Sequence, residues 1–102
     1  MSAKSFAEFM SEDRRLIILR ALDEYGFSGN ETVLKQAIET FGHHPTRDMV
    51  RADLMYLDEH GLVRLEKIAA QSGELWITHL LNAGQEVAKG RHYPGVARRE
   101  PG

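Results

Sequence analysis

Residues 43–67, HHPTRDMVRADLMYLDEHGLVRLEK, constrain the fold more than any other stretch of the chain. Pro45 and Thr46 offer a helix start, Val50, Leu54 and Leu57 recur at the spacing of one helix face, and Gly61 supplies a stop. Leu62, Val63, Arg64 and Leu65 follow at once with β-forming character. A helix that ends on a glycine and runs directly into a strand sets the expectation of a mixed α+β domain.

Two helices are expected ahead of this stretch. Ser11 reads as an N-cap, with Glu12 and Asp13 at the positive end of the helix dipole, for a helix whose Ile18, Leu22 and Tyr25 share a face and which Gly26 closes. Phe6, Phe9 and Met10 before it are spaced as one face of a short helix or a frayed arm. Phe27-Ser28-Gly29 has room only for a bridge or a minimal strand. Asn30 caps a second helix with Leu34, Ala37, Ile38 and Phe41 on its apolar side, and Gly42 ends it. Thr46 is the expected N-cap of the third.

Beyond Gly61 the period shifts towards two. Leu62–Ile68 and Glu74–Leu80 read as a hairpin turning at Gln71-Ser72-Gly73, and Asn82–Lys89 reads as a short last helix closed by Gly90. Pro94, Gly95 and Pro101 keep the remainder extended or irregular. The expected organisation is an N-terminal arm or short helix over 1–10, a folded domain over 11–90 and a basic extended tail over 91–102.

Charge and composition narrow the function classes. The 102 residues carry a net charge of −2, which disfavours strong nonspecific attraction to nucleic acid. The charge is uneven: residues 1–88 are net −5, while 89–102, with Lys89, Arg91, Arg98 and Arg99 against Glu100, are net +3. Such a tail is either a phosphate-binding arm or a solvated end. There is no cysteine, hence no disulfide framework or thiolate metal site, and the chain is compatible with a reducing cytoplasm. No apolar run approaches the roughly 20 residues of a membrane span, and the first residues lack the apolar core of a secretion signal.

The order helix, helix, turn, helix, hairpin, helix is that of a winged helix-turn-helix domain, and several motifs agree. Leu57-Asp58-Glu59-His60-Gly61-Leu62-Val63 resembles the exit of the second motif helix in ArsR- and MarR-type regulators, and Leu80-Leu81-Asn82-Ala83-Gly84 resembles their entry into the final helix. Glu12 to Leu16, Asn30-Glu31, Arg47 to Leu54, Gly90-Arg91 and Pro94-Gly95-Val96 are similar to a family of small winged-helix, ArsR-like proteins of Mu-like phages and prophages. That resemblance covers nearly the whole chain and implies a three-helix winged domain with a two-stranded wing. Two departures stand out. The lack of cysteine removes ArsR-type metal sensing, and Leu81 replaces the usual threonine cap, leaving Asn82 to serve.

On this fold the third helix and the hairpin are the expected contact with double-stranded DNA. Thr46, Arg47 and Arg51 on the helix, Lys67 and Ser72 on the wing, and Arg98 and Arg99 in the tail are the candidate contacts. The outer arc of the same helix, however, carries Asp48, Ala52, Met55 and Glu59, and over 43–56 the two arginines are balanced by Asp48 and Asp53. The alternative is therefore a winged helix used for protein contact. Phe6, Phe9, Met10, Met55 and Tyr56 are then interface residues, for a homodimer or for another phage protein. Trp76 suits a core edge or an interface better than base stacking. Five histidines without i, i+4 pairing on a helix give no metal set; they read as turn and surface residues, with His43 or His44 near a helix end. No catalytic motif and no cofactor are implied.

Overall fold

A computed structural model of the chain describes residues 3–71 and 73–98. Four helices and three strands follow one another as α1 (Phe6–Glu24), β1 (Ser28–Asn30), α2 (Glu31–Thr40), α3 (Arg47–Glu59), β2 (Val63–Ala70), β3 (Gly73–Leu80) and α4 (Asn82–Ala88). The class is α+β. The sheet is antiparallel in the order β1-β3-β2, with Gly29 opposite Thr78 and Val63 opposite Leu80.

Helix starts follow local side-chain chemistry. Asn30 and Thr46 adopt extended backbone and accept the N–H groups of Val33 and Met49, each satisfying a donor that the first turn leaves orphaned. Helix α1 departs from expectation, because it does not begin at Ser11. Ser5 and Glu8 form a capping box, each side chain engaging the other's backbone N–H, so 6–10 and the following helix are one nineteen-residue element. Ser11 lies inside it and accepts a hydrogen bond from Arg14. At α4 the extended cap position is Leu81, which makes no side-chain cap bond; Asn82, expected to cap, is the first helical residue.

The core gathers Ile18, Leu19 and Leu22 of α1, Leu34 and Ile38 of α2, and Val50, Leu54 and Leu57 of α3 against Leu62, Val63 and Trp76. Tyr25 and Phe41, placed inward by periodicity, are instead exposed, because α1 and α2 end one residue earlier and both aromatics occupy C-cap positions where the face turns outward. A buried ion pair joins the first and third helices: Arg14 Nε donates to Asp53 at 2.7 Å, and Arg15 Nε lies 3.3 Å from the same carboxylate. Burial pushes the Asp53 carboxyl above its ordinary range, and the two guanidiniums pull against that shift.

The first residues of the tail are seated on the domain. Tyr56 donates to the Pro94 carbonyl, Arg15 to that of Gly95, and the Ala97 N–H to that of Glu12, while Val96 is buried. The stretch from residue 91, expected to be extended or irregular, forms no helix or strand as far as Arg98 and packs on the domain up to Ala97. Among the described residues no helix is long and apolar enough to cross a membrane.

Candidate nucleic-acid interface

The start of α3, the start of α2 and the end of the hairpin meet around one carboxylate. Glu31, the first residue of α2, is 2% exposed. Arg47 and Arg51 lie one turn apart on α3, so both reach it. Arg47 donates through Nε at 2.9 Å and Nη2 at 3.4 Å, and Arg51 through Nε at 2.7 Å and Nη2 at 2.9 Å. The Trp76 N–H adds a bond at 2.7 Å. Above all the Arg51 bonds, then those from Arg47 and Trp76, outweigh burial and hold the Glu31 carboxyl down at about 2. The same contact raises Arg51.

Both arginines also donate through Nη2 to the Glu74 carbonyl, at 3.0 and 2.9 Å. With Nε and Nη2 engaged, the Nη1 of each has no hydrogen-bond partner among the described residues. Trp76 forms the shelf beneath: its ring is buried, the Arg51 guanidinium lies 4.5 Å and the Lys67 ammonium 4.4 Å from ring centroids, and its Nε1–H donates to Glu74. An open groove of about 560 Å³ beside the cluster is lined by Thr32, Lys35, Arg47, Ala70 and Leu75, among others.

Three of the expected DNA contacts, Arg47, Arg51 and Lys67, therefore converge. Thr46 is adjacent, with its hydroxyl accepting the Met49 N–H. Arg98 is exposed just beyond the segment seated near Tyr56, towards the other end of α3. Ser72 and Arg99 lie outside the described residues. Asp53, weighed against the arginines in the sequence, is buried under α1 and leaves the surface balance. The cluster then holds Arg47, Arg51 and Lys67 against Glu31 and Glu74, net +1. The outer arc of α3 is as expected: Asp48, Ala52, Met55 and Glu59 are all exposed, and none is a cation.

Of the expected interface residues, Phe6, Phe9 and Met55 are exposed and Met10 is half-buried. Tyr56 is a correction. Its ring stacks on His60 at 4.1 Å, lies under the Arg15 guanidinium at 3.9 Å and anchors the tail, so its chemistry is spent within the chain. His43 is a second correction, since it is buried and bonded through Nε2 to Asp13 at 2.6 Å. Glu31 as the hub was not singled out. Its one visible signal was its place behind the Asn30 cap, which reads as dipole chemistry; partners 16, 20 and 45 residues away leave no local mark.

Over 95 residues, 92% of its length, the chain is 36% identical to the uncharacterized protein gp26 of Escherichia phage Mu, and the match takes in 95% of that protein. The chain belongs to the family of this phage Mu protein. An uncharacterized protein of Haemophilus influenzae is 39% identical over 64 residues, 63% of this chain, and the match spans 63% of that relative's own length. No protein-family model and no solved structure matches the chain. Within the Mu gp26 family the phage part of the expected resemblance stands.

Proposed function

We propose that this member of the Mu gp26 family is a winged helix-turn-helix protein of regulatory type that binds double-stranded DNA as a homodimer. Helix, short strand, helix, helix, hairpin, helix, with β1 paired to β3, fits that fold. The observation that carries the DNA reading is the convergence of Arg47, Arg51 and Lys67 where α3 meets the hairpin. Glu31 and the Glu74 carbonyl fix both guanidiniums through two nitrogens and leave the third for a phosphate or a base edge. A donor already held in place loses less rotamer entropy on binding. Thr46 and the α3 N-terminus sit beside them with dipole and hydroxyl. Arg98, Arg99 and Ser72 extend the contact in this reading.

The acidic, methionine-bearing outer arc limits affinity, because phosphate contacts supply most nonspecific attraction. Anisotropy titration of a fluorescent duplex at low salt tests the reading. Arg47→Ala with Lys67→Ala is expected to weaken binding at least tenfold, since each removes one phosphate contact; Arg51 remains to hold Glu31. Binding no tighter than about 10⁻⁴ M, or unaffected by the pair, counts against it.

A second reading has its own observation. Met55 is 45% exposed on the cation-free outer arc of α3, and Met49, 41% exposed, lies on the flank of the helix towards Met10; exposed methionines of this kind suit a protein partner such as another phage protein. Met55→Asp would then abolish capture of that partner while leaving DNA titrations unchanged.

A further inference from the structure

The first turns of α1 project two large rings towards solvent: Phe6 is 78% and Phe9 56% exposed, with the Lys4 ammonium 5.6 Å from the Phe9 ring centroid. Towards the other end of the same helix, an apolar groove of about 180 Å³ opens between α1 and α2, lined by Ile17, Ala21, Ala37 and Phe41 with Arg20 and Glu24 at its mouth. An apolar cavity of about 150 Å³ holds a benzene ring, so the groove has room for one phenyl side chain. Phe6, Phe9, Asp13, Arg20 and Glu24 fall within roughly 60° of arc on one side of α1, and Ile17 and Ala21 flank that side towards α2.

We infer that a second copy of this chain fills the groove, the α1 helices packing antiparallel so that Phe9 of each seats over Ala21 of the other. One charge pairing favours this register. At 1.5 Å rise per residue it brings Asp13 of one copy within about 4.5 Å along the axis of Arg20 of the other, while Lys4, ahead of the helix, stays paired with Glu12 of its own copy at 2.8 Å. Arg20 and Glu24 hold no ion pair among the described residues, and Asp13 uses only Oδ2 towards His43. The Asp13–Arg20 pairing occurs twice about a two-fold axis, as an isologous interface requires. Phe6, Phe9, Tyr25 and Phe41, all largely exposed, together present about 500 Å² per copy and about 1,000 Å² across the pair, where specific interfaces begin. This inference rests on the dimeric part of the proposed function and supplies its surface.

The absence of cysteine makes the test direct. The register opposes Phe6 to Glu24, whereas within one copy they are about 27 Å apart along α1. The full chain with Phe6→Cys and Glu24→Cys, treated with a short thiol-specific cross-linker, is expected to give a discrete covalent dimer. It should form at least ten times faster than in a Phe6→Cys, Glu59→Cys control. In sedimentation equilibrium, Phe9→Asp in the cysteine-free chain is expected to raise the dimer dissociation constant at least tenfold with the helical circular dichroism unchanged. A ladder of higher oligomers overturns the closed pair. Cross-linking no faster than the control, or a monomer at all concentrations, overturns self-docking. Neither result touches the Arg47 and Lys67 titration, so failure here and failure of the DNA reading are distinguishable.

Discussion

Replacing Glu31 by glutamine changes one oxygen to an NH₂ group and removes the charge that joins α2, α3 and β3. The carboxylate accepts four guanidinium bonds between 2.7 and 3.4 Å and the Trp76 N–H at 2.7 Å. Glutamine keeps one carbonyl and turns a donor towards donors. Hydrogen bonds to a charged partner contribute about 1.5–3 kcal/mol each, but both arginines reach solvent and recover part of the loss. The expected net destabilisation of Glu31→Gln is therefore about 2 kcal/mol, set mainly by the buried Trp76 N–H and the closer Arg51 fork. For a domain of this length that lowers Tm by about 10 °C in a calorimetric or circular-dichroism melt. The same change raises the local charge from +1 to +2, so duplex affinity at low salt should rise or hold while stability falls. A loss below about 0.5 kcal/mol would refute the hub as described. A loss of stability accompanied by loss of DNA affinity would instead mean that clamping, rather than charge, governs binding.

Acid titration reads the same carboxylate. Its folded value, about 2, lies below the ordinary 4.5, so its contribution is fully present above pH 4.5 and disappears as pH falls towards 2. After solvent screening this amounts to about 1–2 kcal/mol, and chemical denaturation of Glu31→Gln at several pH values should lack that share of the slope. Two glycines test the packing. A Cβ at Gly84 would run into the Leu62 carbonyl oxygen and the Leu80 side chain, so Gly84→Ala is expected to cost at least about 2 kcal/mol in urea denaturation. Gly95 has φ +85° and faces the Tyr56 hydroxyl; Gly95→Ala should release the tail, seen as faster amide exchange at Val96 and Ala97, with a milder loss of about 1 kcal/mol.

What was legible in the sequence is what local chemistry controls. Asn30 and Thr46 announce their helices because a side-chain oxygen two or three residues ahead of a free N–H acts whatever surrounds it. Gly26, Gly42, Gly61 and Gly90 announce the stops, and all four take positive φ. The Val50, Leu54, Leu57 stripe located the core face of α3. The start of α1 was legible too, in the Ser5-to-Glu8 spacing, but Ser11 with two acids behind it offered a competing cap, and only the tertiary fit keeps the helix continuous through Ser11. His43, Tyr56 and Asp53 were misplaced for a different reason. Each is polar or amphipathic, and each is drawn inward by a partner 30 or more residues away, Asp13, Pro94 and Arg14 respectively. The candidate site follows the same division: Arg47, Arg51 and Lys67 were visible as cations on the expected elements, whereas the carboxylate and indole that orient them were not.

The salt dependence of duplex binding tests the central assignment most directly. Three cations at the junction of α3 and the hairpin predict a slope of log K against log salt of about −3 for one copy and about −5 for a pair. Arg47→Ala with Lys67→Ala should flatten it by about 2 per bound copy. A slope near zero, or a slope that these two substitutions leave unchanged, would contradict the account.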